Sequence, residues 1–215
     1  MRFADRVEAG RQLAAQLIDL RDDVDVIVLG IPRGGVVVGY EVALALGAPF
    51  DVALSRKLGA PDNAELAIGA LAENGARVLD DFLIAQLRVP ADYIERVTRQ
   101  ERREIERRGP LYRGRRPPLE VHDRTAVIVD DGVATGSTLT VTLRALREQG
   151  AHTLVAAAPV IAGEALERLG ALADRVVYVE APSFFASVGG FYDHFEQVSD
   201  AEVRELLADV AETRS

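Results

Sequence analysis

The chain has no cysteine, which excludes a disulfide framework and any thiolate metal site. It is nearly without lysine: Lys57 stands alone, and arginine carries the rest of the positive charge. The arginine bias is of the kind a GC-rich genome imposes, but the place of the single lysine matters below. Positive charge is also short overall, with a net charge of −9. A polyanion is repelled by such a chain, so no nucleic-acid partner is expected. No apolar run approaches the ~18 residues of a membrane span. The opening Met1-Arg2-Phe3-Ala4-Asp5 turns acidic too early for a signal peptide. These absences lead us to expect a cytoplasmic protein with no membrane partner.

What is present suffices for one α/β domain. At 215 residues and 48% hydrophobic composition, the chain can bury a substantial core. Apolar residues from Phe3 to Leu20 recur at helical spacing. Val26-Ile27-Val28-Leu29 then forms a short strand ending at Gly30. A helix is expected over 36–46, closed by Gly47, and a second strand over 50–54. The pattern repeats with a strand at 125–129, a helix at 137–149 and a strand at 153–158. A helix at 163–169 and a last strand at 175–179 follow. Strands alternating with helices predict a parallel sheet covered on both faces. Between the two units, 56–124 is too long for a plain connection. It holds short strands at 67–71 and 77–79, a charged helix at 91–108 broken at Gly109-Pro110, and a loop at 113–118.

The most informative stretch is Val127-Ile128-Val129-Asp130-Asp131-Gly132-Val133-Ala134-Thr135-Gly136-Ser137-Thr138. A strand delivers two carboxylates, and a glycine-bearing turn opens a helix whose first amides lack intrahelical partners. Gly136 lets backbone approach an anion, and the hydroxyls of Thr135, Ser137 and Thr138 add donors. Asp130 and Asp131 would repel a phosphate but suit the vicinal hydroxyls of a ribose. Sugar at one end and phosphate at the other describe a ribose 5-phosphate. An unliganded Ser/Thr helix cap is the plainer alternative. No lysine follows Gly136, so this is not a Walker A loop.

This segment resembles the phosphoribosyl diphosphate (PRPP) signature of type I phosphoribosyltransferases. The resemblance implies that family's fold: a central parallel sheet flanked by helices with a small hood. Here that means one domain over 1–215, with hood elements at about 60–124 and 181–215. It implies substrate contacts along Asp130, Asp131, Gly132, Val133, Ala134, Thr135, Gly136, Ser137 and Thr138. The turn Gly30-Ile31-Pro32-Arg33-Gly34-Gly35 resembles the family's diphosphate turn, with contacts from Pro32, Arg33, Gly34 and Gly35. The family often has a cis non-proline peptide there, by analogy the bond from Pro32 to Arg33. Arg56-Lys57, read as the end of the second strand, would face the same ligand.

The implied chemistry is loss of diphosphate from C1 of PRPP through an oxocarbenium-like transition state, with attack by a nitrogenous base. Arg33, Lys57 and Asp131 are the catalytic candidates. Mg²⁺ is the implied cofactor, with Asp130 and Asp131 as candidate ligands. The resemblance also implies a homodimer.

The chain departs from the family's 6-oxopurine branch at Ala134, where that branch carries a proton-accepting aspartate. Alanine cannot take a proton. Glu65 is a candidate acid on a mobile loop, against the plainer reading of a solvated glutamate. Phe184-Phe185 and Phe191-Tyr192-Asp193-His194-Phe195 gather aromatic faces that could stack on a base or build a small core of their own. In the arginine-rich stretch after Arg96, the pairs Glu95/Arg99, Arg102/Glu106 and Glu104/Arg108 mark a solvated helix. Arg113, Arg115 and Arg116 are read as a lid over the diphosphate. Two further readings stay open: a non-catalytic PRPP or nucleotide sensor on the same fold, and a hydrolase that uses water as acceptor.

Overall fold

A computed structural model describes residues 2–73, 75 and 77–213, with only the backbone described at 64, 65 and 211–213. Glu65, the candidate acid, therefore has its side chain outside the described residues. The order is α1 (Arg6–Ala15), β1 (Val26–Gly30), α2 (Gly34–Leu46), β2 (Phe50–Val52), β3 (Ser55–Ala60), β4 (Asn63–Ala72) and β5 (Arg77–Leu79). Then come α3 (Asp81–Gln86), α4 (Ala91–Arg113), β6 (Thr125–Val129), α5 (Ser137–Glu148), β7 (Thr153–Val160), α6 (Gly163–Gly170), β8 (Arg175–Glu180) and α7 (Asp200–Thr213).

Five strands form a parallel sheet in the order β2-β1-β6-β7-β8. Burial on both faces explains its apolar strands. In β6, Val127 and Val129 enter one core with Val36, Val42 and Leu207, while Ala126 and Ile128 enter the other with Leu139, Leu143 and Leu169. Helices α1, α2 and α7 thus cover one face, and α5 and α6 the other. The chain leaves β1 toward β2 and leaves β6 toward β7, so their carboxyl ends flank a topological switch point. Ligands of open α/β sheets bind in that crevice.

A second sheet, β3-β4-β5, is antiparallel and packs between α4 and α5. This corrects the expectation that Arg56 and Lys57 end the second strand. That strand stops at Val52, and both residues lie in β3, paired with Leu71 and Ala70 of β4. The long helix is also corrected: α4 runs through Gly109 and Pro110 to Arg113. Glu73 packs so closely that a Cβ on Gly109 would stand 2.7 Å from its Oε1. Arg113 then fixes the last turn. Its Nε donates to Asp51 at 2.6 Å, its Nη1 to Glu73 at 2.6 Å and its Nη2 to the Val52 carbonyl at 2.8 Å. With its side chain only 4% exposed, Arg113 is an internal tie between α4, β2 and β4 and not part of a lid. Arg116 likewise donates to the Leu207 carbonyl of α7.

No described helix is long and apolar enough to cross a membrane.

Candidate functional site

Two loops meet at the switch point. After β1, Gly30-Ile31-Pro32-Arg33 leads into α2, and the Pro32–Arg33 peptide is cis. After β6, the chain is held by Asp130 N–H on the Ala157 carbonyl at 3.1 Å and Val133 N–H on the Val160 carbonyl at 2.9 Å. Gly136 then adopts φ +73° and opens α5 without a side-chain cap. That left-handed turn needs glycine. It leaves first-turn amides aimed out of the helix, where an anion is favoured. Thr135 and Thr138 are exposed and Ser137 half-buried. Thr135 Oγ1 and Ser137 Oγ lie 3.0 Å apart. Arg168 of α6 donates to the Thr135 carbonyl and brings a cation beside the loop.

The two loops touch through paired glycines. A Cβ on Gly34 would stand 1.8 Å from Asp131 Oδ2, and one on Gly35 would stand 2.8 Å from Asp130 Cα. The glycine pair therefore admits the aspartate pair. Asp130 Oδ1 accepts from Asp131 N–H at 2.9 Å. Burial first, and the Asp131 charge second, push the Asp130 carboxyl well above the usual carboxylate range. Asp131 is treated differently: Arg6 Nε donates to its Oδ2 at 2.8 Å. The Tyr192 hydroxyl donates to the Asp131 carbonyl, and burial raises that phenol's pKa.

A cleft joins these loops to the antiparallel sheet. A cavity of about 390 Å³ is bordered by Ser55, Arg56, Lys57, Tyr93, Gln100 and Thr138. An adjoining one shares Ser55, Arg56 and Thr138 and reaches Pro32 and Arg108. Lys57, Thr138 and Pro32, distant in sequence, thus border connected space. Arg56 is held by Glu101, with Nε to Oε2 at 2.6 Å. Arg33 immediately precedes the first turn of α2. A further cavity against Asp51, Arg113 and Leu146 shares Ala53, Leu54 and Ser55 with the one that reaches Pro32, and its carboxylates are engaged by Arg113.

The aromatic segment forms a small core of its own. Tyr192 stacks on Phe195 at 4.9 Å and packs against Phe3 at 5.5 Å, while Phe185 meets Phe191 at 5.2 Å. Phe184, 80% exposed, stays outside it. Along α4, Glu104 pairs with Arg108 as expected, and also with Arg107. Glu95 instead pairs with Arg77 of β5, which lies within reach once the antiparallel sheet folds against α4. Sequence reasoning missed Arg6, Arg108 and Arg168. Each joins the site from a distant element, so no local pattern marks it.

Among the described residues, no three carboxylates or imidazoles gather as for a resident metal.

Comparison with known proteins agrees with this arrangement. The family model described as Phosphoribosyl transferase domain matches residues 4–195. A Mycobacterium tuberculosis CDC 1551 protein, provisionally named a phosphoribosyl transferase, is 43% identical over 205 residues. The match covers 95% of this chain and 46% of that protein, and the same holds for its counterpart in strain H37Rv. The chain therefore spans about half the length of the curated relatives it matches. The crystal structure of TT1426 from Thermus thermophilus is similar throughout, with a TM-score of 0.89 and 43% identity. That similarity covers 97% of this chain and 99% of the other. With a family model spanning most of its length and this α/β architecture, the chain belongs to the phosphoribosyl transferase domain family.

Proposed function

We propose that this protein transfers the phosphoribosyl group of PRPP to a nitrogenous base or a related small nucleophile, releasing diphosphate. The observation that carries this reading is that Gly34 and Gly35 pack on Asp131 and Asp130 at the switch point, beside adjoining cavities bordered by Pro32, Thr138 and Lys57.

In this reading the first-turn amides of α5 and the hydroxyls of Thr135, Ser137 and Thr138 hold the 5-phosphate. Asp130 and Asp131 accept hydrogen bonds from the ribose hydroxyls. Arg33 and Lys57 face the diphosphate, with Arg56 and Arg108 adding positive potential at the cleft. The C1–O bond to diphosphate breaks with its electron pair leaving on the diphosphate. The acceptor's lone pair forms the new bond at C1, and the acceptor then loses a proton. Asp130 and Asp131 would hold Mg²⁺ together with substrate oxygens, where it would shield the departing charge. Positioning and charge stabilisation account for the rest. Elements near 60–124 and 181–215 are the proposed hood on the acceptor side, less α7, which packs into the core of the parallel sheet.

A second reading, a non-catalytic sensor of PRPP or a nucleotide, is favoured by Ala134. It is exposed on the loop and offers no proton acceptor. One experiment separates the readings: incubation with PRPP and a panel of bases, with and without Mg²⁺, following diphosphate. Base-dependent release supports the transferase, and ribose 5-phosphate formed without base marks a hydrolase. PRPP binding with no turnover across the panel replaces the transferase with the sensor.

A further inference from the structure

Asp131 is held from the far end of the chain. Arg6 is the first residue of α1, and its backbone is fixed by a reciprocal cap: Glu8 N–H donates to Asp5 Oδ1 at 2.8 Å, and Ala4 N–H to Glu8 Oε2 at 2.5 Å. From there the guanidinium is engaged on three sides. Nε donates to Asp131 Oδ2 at 2.8 Å, Nη1 donates to the Glu196 carbonyl at 2.9 Å, and the Phe195 ring lies 3.8 Å below its carbon. The two side chains are 11% and 15% exposed, so water screens the pair little.

This pairing leaves the aspartate with an asymmetric carboxylate. Oδ2 is taken by Arg6 and lies over Gly34, whereas Oδ1 accepts from no guanidinium, ammonium or backbone N–H among the described residues, and the neighbouring Asp130 carboxyl also meets this carboxylate. A guanidinium is suited to this, because its planar fork fixes the plane of a carboxylate as well as its charge.

We infer that Arg6 is a positioning residue for the phosphoribosyl site: it holds Asp131 by one oxygen so that the other is presented to the sugar. Through Glu196 and Phe195 it also ties that carboxylate to segment 191–196. That segment is itself paired with the N-terminus by Phe3 N–H on the Phe191 carbonyl and Asp193 N–H on the Phe3 carbonyl. The inference rests on the proposed phosphoribosyl site, which Arg6 reaches through Asp131.

The test is a double-mutant cycle read in PRPP affinity by calorimetry on the whole chain, with R6A, D131N and the pair, and melting curves recorded beside it. R6A is expected to weaken PRPP by roughly tenfold, the scale of one charged hydrogen bond. In the D131N background the same change is expected to alter affinity by less than about twofold, because the group it acts through is already lost. R6Q, which keeps a donor and most of the packing stem, repeats the cycle if R6A does not fold. A purely structural Arg6 would give losses that multiply, or an R6A variant that melts early yet binds as the parent does. Either outcome overturns the inference alone. A parent chain that binds no PRPP overturns the reading of the site, and the inference with it.

Discussion

Asp131 Oδ2 lies so close over Gly34 that a Cβ at that position would stand 1.8 Å from it. The turn after β1 and the acidic pair after β6 therefore interlock, and neither can be altered in bulk without moving the other. For a Gly34→Ala variant we expect a loss of roughly 1–3 kcal/mol in stability, as for other overpacked sites. PRPP binding is expected to fall with it, because the added methyl displaces the carboxylate proposed to face the sugar. Urea unfolding and calorimetry on the same sample check both, and a variant with the parent's midpoint and affinity would show that the loops do not bear on each other.

Asp130 gives a prediction with a defined pH sign. Its folded-state pKa is raised, so the fold holds this proton more tightly than the unfolded chain does. Stability from this group is present at low pH and is lost as the pH climbs from about 4, the unfolded value, through the folded one. Asp130→Asn removes the buried charge and keeps an acceptor for the Asp131 amide. Its expected melting temperature at neutral pH is a few degrees above the parent's, since about 1 kcal/mol moves a chain of this size by roughly 2–4 °C. That gain is expected to vanish near pH 4, while PRPP affinity drops at neutral pH. A variant less stable than the parent at pH 7 would contradict the assignment of a strained carboxyl.

Arg113 is the opposite case, a buried charge placed for structure. It neutralises Asp51 and Glu73 and joins the end of α4 to both sheets. Arg113→Ala leaves two carboxylates facing a space they cannot leave, a situation that costs about 3–5 kcal/mol in buried pairs. We expect a large fall in the urea midpoint. A change below about 1 kcal/mol would mean that water reaches the pair freely.

These cases show which parts of the molecule a reader of the sequence can find. The strand Thr125–Val129 and the start of α5 are legible because burial on both faces demands an apolar run, and an anion-directed helix start demands glycine and hydroxyls. β3 is not legible, because Arg56 and Lys57 interrupt any alternation and owe their strand to pairing with β4. Pro110 reads as a stop, yet the contacts of Arg113 and Gly109 with Glu73 outweigh one lost backbone bond. The signal for α7 is present, with acids at Asp200 and Glu202 and apolar residues at Val203, Leu206, Leu207 and Val210 in helical spacing. Coming after the last strand, it passes for a tail until its packing on the sheet is seen. Arg6 and Asp131 stand 125 residues apart, and only the folded chain brings them together.

Lys57 and Thr138 border the same cleft from different elements, and the proposed chemistry assigns them to different parts of the ligand. The 5-phosphate held near Thr138 is remote from C1 and keeps its charge throughout the reaction. Contacts to it are equal in ground and transition states and appear in KM. The diphosphate near Lys57 gains charge as the C1–O bond breaks, so a cation there acts most strongly in the transition state and appears in kcat. Thr138→Val is therefore expected to raise KM for PRPP severalfold with kcat little changed. Lys57→Gln is expected to lower kcat by at least about tenfold, equivalent to about 1.4 kcal/mol or more of transition-state stabilisation, with a smaller change in KM. Steady-state rates of diphosphate release against PRPP concentration, with whichever base proves to be the acceptor, measure both. If Lys57→Gln changes KM alone, the lysine binds the ligand but takes no part in its departure, and the charge of the leaving group must be met by Arg33 instead.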